Sequence, residues 1–397
     1  MKVKWKEFLG KLGLRSQSPP GGVFVSVNVM KSMRSPPGRN YHTSRVILRV
    51  SIWTCLFLVL FFFIVYTILL AYVDDQFHPA LISPPGIVYH KRLHGKLNVD
   101  DVKSGNAGAR VDQSKEVLWN SSQFYNDEPM PQCKWQTLFR LLVATSVQNK
   151  DRRDRIRETW CNPKAFGFPK HSWHCIFLVG QAKSEKLKSE LYKESSQHQD
   201  MLVGNYVDTY RNLTLKIIHG FNWSINFCPS AYVVKTDDDC FVNAGLLHRF
   251  LLYHNQKTID LYVGSVVQDR EKLRVVRGDQ KWSVPYSDYP EKYYPPYASG
   301  IGYVMSSDVA KRLVSGSMYI KPFANEDAYV GVVLSRIGVQ FTSSSRFMLS
   351  SGGLSLCNFM YVLMLHDVSV ERQRELMKKA LAAPEHCKHH KPVETWE

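Results

Sequence analysis

Three consecutive aspartates, Asp237 to Asp239, stand two residues after the apolar segment Ala231 to Val234. This segment has the composition of a buried β-strand, so the carboxylates stand where the strand ends. Carboxylate oxygens clustered in this way are typical ligands of a hard divalent cation. Asp is also a common turn residue, and a polar surface turn that closes the strand is the alternative interpretation. The surrounding elements have to separate the two.

Apolar strand-like runs alternate with helix-like runs from residue 133 onward. Predicted strands cover 138–145, 175–180, 201–207, 231–235 and 261–267, and predicted helices end at 160 or cover 184–196, 213–227 and 244–254. This alternation predicts an α/β domain with a largely parallel central sheet. Ligands of such sheets bind at the carboxyl ends of the strands, which is where the three aspartates fall.

Two further stretches carry side chains suited to binding phosphates or nucleotides. The first begins at Arg152 and includes Arg157, whose guanidinium groups can bind phosphates; a solvated basic helix face is the alternative. The second runs from Asp208 to Lys216 across a strand-to-helix junction and offers a carboxylate, an aromatic ring and a cation. An ordinary helix cap by Asp208 or Asn212 is the alternative there.

Two later stretches are suited to a sugar substrate and to proton transfer. An aromatic loop around Tyr297 leads into Gly300 and Gly302, which allow close backbone approach, and aromatic faces stack on the apolar CH surfaces of sugar rings. Glu326 and Asp327 open an apolar helix, where the helix dipole already favours carboxylates. Helix capping and a general base are therefore both open for these acids.

Residues 50–73 contain no charge and are long enough to cross a bilayer as a helix. A cleaved signal peptide fits less well, because the segment starts about fifty residues from the N-terminus. Ten Lys or Arg and one acid precede it, so the positive-inside rule puts the N-terminus in the cytosol. We predict a cytosolic basic tail at 1–49, a type II anchor at 50–73, a lumenal stem at 74–130 and a lumenal catalytic domain at 131–397.

The basic composition does not indicate nucleic-acid binding, because the cytosolic tail carries +9 of the net charge of +16. Seven cysteines follow the anchor, an odd number, so at least one is free or intermolecular. Their spacing contains no CxxC pair, which argues against a zinc ribbon. The C-terminal His386, Cys387, His389 and His390 are interpreted as part of an unfolded polar tail. Sequons at Asn120, Asn212 and Asn222 are candidate glycosylation sites.

Together, in this order, the motifs resemble the β-1,3-glycosyltransferases of glycosyltransferase family 31, which include galactosyl-, N-acetylglucosaminyl- and N-acetylgalactosaminyltransferases. The resemblance extends from about Cys133 to His366 and includes Lys281 and Trp282. It implies a GT-A-like nucleotide-sugar-binding fold and a UDP-sugar donor. It also implies inversion at the anomeric carbon, with Mn²⁺ or another divalent cation as cofactor.

The resemblance also implies roles for single residues. Asp239 would be the direct Mn²⁺ ligand together with His366 and Asp237, while Asp237 and Asp238 would also lie near the ribose and the sugar. The nucleotide pocket would include Arg152, Arg157, Asp208 and Lys216. Asp327 would be the catalytic base, with Glu326 next in line. Substrate contacts would come from Trp282, Tyr297, Gly300 and Gly302.

We therefore expect a Golgi membrane enzyme that transfers a hexose, with galactose preferred, to a glycan on a glycoprotein or glycolipid. Transfer of N-acetylglucosamine or N-acetylgalactosamine is the alternative, and a catalytically silent glycan-binding protein or a metal-dependent phosphohydrolase are weaker ones. The state of assembly, alone or as a homo- or hetero-oligomer, is left open. The chain departs from the family pattern at Cys161, Cys240 and Ala298, and Cys228 with Cys357 is the one disulfide that we predict.

Overall fold

The computed structural model describes Phe124 and residues 130–133, 137–350, 352–391 and 393–397. The predicted cytosolic tail, the predicted anchor at 50–73 and nearly all of the predicted stem, including Asn120, lie outside these residues. Within the part of the chain that the structure describes, no helix is both long and apolar enough to cross a membrane.

Ten strands and seven α-helices build the described part of the domain. The strands are β1 Thr137–Ala144, β2 Trp173–Gln181, β3 Met201–Val207, β4 Ser230–Asp237, β5 Phe241–Val242, β6 Tyr262–Val267, β7 Tyr297–Ser306, β8 Thr342–Ser343, β9 Phe347–Met348 and β10 Met364–Leu365. The helices are α1 Lys150–Glu158, α2 Glu185–His198, α3 Leu213–Phe227, α4 Ala244–Tyr253, α5 Ser307–Ser317, α6 Glu326–Arg336 and α7 Arg372–His386.

The main sheet has seven strands in the order β3-β2-β1-β4-β7-β6-β8. Strand β7 pairs antiparallel with both of its neighbours, and all other pairs in this sheet are parallel. A small second sheet has the order β5-β10-β9. The α/β class is therefore confirmed, and the sheet is mixed, with one strand running against the other six.

Apolar layers cover both faces of the main sheet. Along β1, Leu141 and Val143 belong to one layer and Leu142 and Ala144 to the other, as expected when successive side chains point to opposite faces. Helices α1, α4 and α7 bury their apolar residues in the first layer, and α3, α5 and α6 do so in the second. A three-layer arrangement of this kind leaves the carboxyl ends of the parallel strands open for a site.

The early elements agree closely with their predictions, and β3 and α3 have the predicted bounds. The predicted aromatic loop that leads into two glycines is different, because most of it is strand β7. Tyr303 pairs with Lys235 of β4 and with Gly264 of β6, so this segment is a central strand of the sheet. Glycines within this segment and the prolines before it, beginning at Pro295, are unusual in a central strand, so the sequence pattern did not predict one here.

The disulfides differ from the prediction, since the structure pairs Cys133 with Cys228 and Cys161 with Cys175. The predicted pair of Cys228 with Cys357 is wrong. Cys133 precedes β1 and Cys228 precedes β4, and these two strands are parallel neighbours, so their entry segments lie side by side with a Cα separation of 5.3 Å. That adjacency depends on strand order, which the cysteine spacing does not contain.

The third disulfide joins Cys357 to Cys387 at the end of α7. The prediction that His386 and Cys387 lie in an unfolded tail is therefore wrong, because His386 is the last residue of α7 and Cys387 is buried. Leu376, Ala380 and Ala383 of this helix are buried at helical spacing. Histidines and lysines dominate the composition of this segment and suggest a polar tail. The buried apolar residues along one face of α7 are nevertheless enough to pack the helix against the core.

Cys240 is the free cysteine of the described residues, and it is buried. Burial raises the pKa of its thiol well above the usual value, so little thiolate forms. We expect iodoacetamide to leave Cys240 unmodified in the native protein and to modify it after unfolding without reductant. Peptide mapping by mass spectrometry checks this result, and the six bridged cysteines serve as the internal control because they stay unmodified in both samples.

Candidate active site

Asp238 holds the turn that follows β4. Its backbone N–H donates to the Ala144 carbonyl at 3.0 Å, and its Oδ2 accepts hydrogen bonds from Thr145 Oγ1 at 2.6 Å and Asn149 Nδ2 at 2.7 Å. The carboxylate is buried. For this one aspartate the turn interpretation is the better one, because its oxygens are used to join the ends of β1 and β4.

Asp239 and His366 face each other at the surface, Asp239 from the turn after β4 and His366 from the loop after β10. Asp239 Oδ2 lies 3.6 Å from His366 Nε2, and their side chains are 40% and 35% exposed. Leu365 pairs with Phe241 in the small sheet, and Val368 N donates to the Asp239 carbonyl at 2.8 Å, which fixes the two loops together. An accessible carboxylate oxygen and an imidazole nitrogen at this separation can share one divalent cation.

These two donors fit a cation that takes most of its ligands from a bound substrate. Among the residues that the structure describes, no group of three or more His, Cys, Asp or Glu side chains is arranged to hold a metal. Asp237, predicted as a third ligand, lies apart from this pair, with Oδ1 only 2.9 Å from Lys235 Nζ. Two protein ligands leave most coordination positions to phosphate oxygens and water, which is the usual arrangement for Mg²⁺ at nucleotide phosphates.

Arg152 lies beside the turn that carries Asp238 and Asp239. Its Nη1 donates to the carbonyls of Asp238 at 3.4 Å and Val368 at 3.3 Å, so it joins the aspartate turn to the segment after His366. Its side chain is 32% exposed. The remaining guanidinium surface is available to an anion bound beside Asp239 and His366.

Arg157, in contrast, is not part of the site. Its guanidinium donates to Asp200, just before β3, at 2.8 and 2.9 Å and to Glu194 of α2 at 2.7 Å, within an ion-pair network. Five residues separate it from Arg152, which places the two side chains on widely different faces of α1. The prediction that Arg157 lines the nucleotide pocket is therefore corrected.

Asp208 and Lys216 form a buried ion pair that joins the carboxyl ends of three strands. Lys216 Nζ donates to Asp208 Oδ1 at 2.8 Å and to the Thr145 carbonyl at 2.6 Å, while Gly180 N donates to Asp208 Oδ2 at 2.8 Å. Both charges are used within the protein. The pair shapes the edge of the sheet beside the site, and Asp208 is not the helix cap that was the alternative.

The two described sequons differ in accessibility. Asn212 is half-buried, and its Nδ2 donates to the Val207 carbonyl at 2.9 Å. Asn222 lies inside α3 with 5% of its surface exposed, and Ser224 of the same sequon is fully buried. Glycosylation at Asn222 is therefore incompatible with this fold, because the glycan would have to enter the apolar layer.

Asp327 and Glu326 stand at the first turn of α6, and the structure separates their roles. Asp327 is partly exposed, and its oxygens accept hydrogen bonds from Gly300 N at 3.0 Å and Ala328 N at 2.8 Å. Glu326 is buried, with Oε1 bonded to Lys235 Nζ and Oε2 accepting from Tyr303 O–H at 3.4 Å. Asp327 is the oriented carboxylate that a substrate can reach.

Gly300 and Gly302 of β7 leave room for the groups that pack against them. A Cβ on Gly300 would lie 3.1 Å from Glu326 Oε1 and 3.3 Å from Asp327 Oδ2, so a larger residue would push the acids away. A Cβ on Gly302 would lie 2.4 Å from Met364 Sδ and 2.8 Å from the Lys235 carbonyl. Both glycines, predicted as substrate contacts, therefore position other groups.

An exposed aromatic surface lies beside Asp327. Trp282 is 56% exposed, and its carbonyl accepts from Asn325 Nδ2 at 2.9 Å. Tyr210 O–H donates to Asn325 Oδ1 at 3.3 Å, and Lys281 Nζ lies 5.3 Å and 5.6 Å from the ring centroids of Tyr210 and Trp282. Asn325, two residues before Asp327, thus bonds to the Tyr210 side chain and to the Trp282 backbone. Tyr297, half-buried at the start of β7, is the fifth side chain of this region.

Comparison with known proteins identifies the family. Residues 151–345 match the family profile described as Galactosyltransferase. The chain is 34% identical over 265 residues to beta-1,3-galactosyltransferase 1 of Homo sapiens, which covers 66% of this chain and 80% of that protein. The chain belongs to the galactosyltransferase family.

A second relative of this chain is UDP-GalNAc:beta-1,3-N-acetylgalactosaminyltransferase 1 of Homo sapiens, 33% identical over 245 residues, which are 60% of this chain and 72% of that protein. The resemblance to the β-1,3-glycosyltransferases of family 31 and the prediction of a UDP-sugar-dependent glycosyltransferase are confirmed. Among solved structures, the galactosyltransferase LgtC aligns with 63% of this chain and 99% of its own, at 10% identity and a TM-score of 0.36.

Burial shifts the pKa values of both acids at the start of α6 in one direction. Burial raises the pKa of Asp327, and hydrogen bonds from Ala328 N and Gly300 N together with the charge of Lys235 only partly offset it. Burial likewise raises the pKa of Glu326 to about 7, against the charge of Lys235. A carboxylate with a raised pKa is a better proton acceptor near neutral pH.

We expect kcat/KM to fall as the pH drops, because a protonated Asp327 cannot accept a proton. The midpoint should lie above about 3.9, the ordinary value for Asp. Rates measured from about pH 4 to pH 8 at saturating metal test this. Glu326→Gln should keep an acidic limb; if the limb disappears in that variant, Glu326 and not Asp327 is the titrating base.

Proposed function

We propose that the protein is an inverting, divalent-cation-dependent β-1,3-hexosyltransferase with a GT-A-like fold. It moves a hexose, with galactose preferred, from a UDP-sugar to the 3-hydroxyl of a glycan acceptor on a glycoprotein or glycolipid. The observation that carries the proposal is the two-part site, in which the exposed Asp239 and His366 stand on one side and the oriented Asp327 on the other.

Asp239 and His366 would hold the cation, and Arg152 lies where it can meet the diphosphate. When bound, the cation neutralises the charge that develops on the UDP leaving group. The protein contributes the placement of the two ligands, because the hydrogen bond from Val368 N to the Asp239 carbonyl and the β5–β10 pairing keep their loops together.

Asp327 would take the proton from the acceptor 3-hydroxyl while that oxygen attacks the anomeric carbon. Two backbone N–H groups orient the carboxylate, so little reorganisation is needed when the acceptor binds. Glu326 is held by Lys235 and Tyr303, which leaves Asp327 as the reachable base of the pair. A single displacement assisted by one base inverts the anomeric configuration, from α in the donor to β in the product.

The donor sugar is proposed from the relatives, whose identities to this chain are nearly equal. The relative with 34% identity is named as a galactosyltransferase and the one with 33% as an N-acetylgalactosaminyltransferase. Galactose is preferred because the family profile is also described as Galactosyltransferase. Transfer of an N-acetylhexosamine remains the alternative for the same site.

The proposed location is the Golgi membrane, with the catalytic domain on the lumenal side of a type II anchor at 50–73. Three disulfides in the described residues support a lumenal domain, because such bonds persist in oxidising compartments. The uncharged segment and the basic residues before it support the orientation.

The decisive experiment incubates the purified full-length protein in detergent with Mn²⁺, a glycan acceptor array and each of UDP-galactose, UDP-N-acetylglucosamine and UDP-N-acetylgalactosamine. We expect transfer from UDP-galactose to be fastest and the product to show a β-1,3 linkage by NMR. Faster transfer from another donor would replace galactose. A cooperatively melting protein that transfers from none of the donors would overturn the proposed activity, and free phosphate without transfer would indicate a phosphohydrolase.

A further inference from the structure

One buried lysine links the end of β4 to the groups around Asp327. Lys235 lies near the end of β4 and has no exposed surface. Its Nζ bonds to Glu326 Oε1 of α6 and to the Gly300 carbonyl of β7, and it lies 2.9 Å from Asp237 Oδ1 at the end of its own strand. A single ammonium group thus contacts two other elements and the end of β4.

These contacts extend to Asp327 in one further step. Gly300 accepts from Lys235 through its carbonyl and donates to Asp327 Oδ2 through its N–H at 3.0 Å. Glu326 adjoins Asp327 at the start of α6, and its second oxygen is bonded to Tyr303. The position of the Asp327 carboxylate is therefore determined on both sides by groups that Lys235 holds.

Stability alone does not account for this arrangement. Taking a lysine and its carboxylate partners out of water costs several kcal/mol per ion, and apolar replacements of similar volume are often neutral or stabilising. Burial by itself lowers the pKa of Lys235, but the charges of Asp237 and Glu326 raise it above the ordinary value, so the group stays charged. A permanent buried cation at this point is better explained by the geometry that it imposes.

We propose that Lys235 is a positioning residue that holds Gly300 and Glu326, and through them orients Asp327 toward the acceptor hydroxyl. The proposal rests on the proposed function, since it takes Asp327 as the base. It assigns Lys235 no contact with UDP, because Asp239, His366 and Arg152 on the metal side are not among its partners.

The test is Lys235→Met in the full-length protein, with kcat and UDP affinity measured separately. We expect kcat to fall about 10²-fold, the effect of misplacing a reacting group by about 1 Å. The dissociation constant of UDP in the presence of Mn²⁺ should change by less than about threefold, because a positioning effect appears in kcat and not in ground-state binding. An unchanged kcat, or a UDP affinity that falls in parallel with kcat, would overturn the proposal.

A second variant separates positioning from charge balance. Lys235→Met leaves Asp237 and Glu326 without their cation, and Glu326→Gln added to it removes one of these charges. We expect the double variant to recover thermal stability while kcat stays low. Recovery of kcat together with stability would show that Lys235 only balances charge. If Lys235→Met does not fold, Glu326→Gln alone tests the same contact and should lower kcat selectively.

Arg140→Met is the matched control. Arg140 is also a buried strand cation, but its bonds go to the Cys228 carbonyl, His174 and Thr137 away from the acids of the site. We expect lower stability with unchanged kcat per folded molecule. Failure of the proposed function would give a different result, because the unmodified protein would then transfer no sugar.

Discussion

Asp327→Asn should lower kcat by about 10² to 10⁴-fold, the usual contribution of a general base, while UDP binding is retained. The amide keeps the size and the acceptor oxygen of the carboxylate, so the hydrogen bond from Gly300 N or Ala328 N can persist. What is lost is the ability to accept the acceptor's proton. Because Asp327 contacts none of the metal-side residues, the nucleotide should bind as before.

The measurement pairs steady-state rates at saturating donor and acceptor with UDP titration by calorimetry. Asp308→Asn is the control, because Asp308 also occupies the second position of a helix, α5, and accepts hydrogen bonds from a backbone N–H, that of Asp260. It should leave kcat unchanged. Unchanged turnover in Asp327→Asn would reject Asp327 as the base and would require Glu326 to leave its contacts with Lys235 and Tyr303.

Asp239→Asn should produce the second large effect, a fall in kcat/KM of about 10² to 10³-fold, since a bound cation stabilises transition-state charge by several kcal/mol. His366→Ala should raise the Mn²⁺ concentration needed for half-maximal activity by about 10- to 100-fold, with partial rescue at high Mn²⁺. The reason is that Asp239 and His366 offer an accessible oxygen and nitrogen that can bind the cation together. Removing Asp239 also removes the charge that attracts the ion.

Metal titrations of activity and of UDP binding check these two variants, and chelation followed by Mn²⁺ addition checks the unmodified protein. His198→Ala is the control, because His198 is exposed at the end of α2. This variant should reach half-maximal activity at the same Mn²⁺ concentration as the unmodified protein. Full activity of the unmodified protein after exhaustive chelation would refute metal dependence, whatever the variants show.

Local patterns in the sequence determined much of the framework. Alternating apolar runs located β1 to β4 and α1 to α4, because these elements are amphipathic or wholly buried and their periodicity is strong. The same patterns put the aspartates at a carboxyl edge and the two acids at a helix start, both as observed. Spacing and order of the motifs were enough for the family.

The tertiary structure decided which members of each motif are accessible. Arg152 and Arg157 look alike in sequence, but helix rotation sends Arg157 into a salt-bridge network with Asp200. The three aspartates also look alike, yet Asp238 is used by Thr145 and Asn149 while Asp239 faces His366 from far along the chain. Such differences depend on neighbours that are distant in sequence.

Three residues show most clearly that local sequence does not determine tertiary contacts. They are Lys235, Asn325 and Tyr210. Each stands inside or beside a motif, but nothing in its local context indicates that Lys235 contacts β7 and α6 or that Asn325 anchors two aromatic residues. The sequence by itself determined the family, the elements and the chemistry of the side chains, because these follow from local composition and spacing. Only the tertiary structure decided the disulfide pairing, the difference in exposure between Asp327 and Glu326, and the contacts of Lys235, because these depend on long-range strand order and burial.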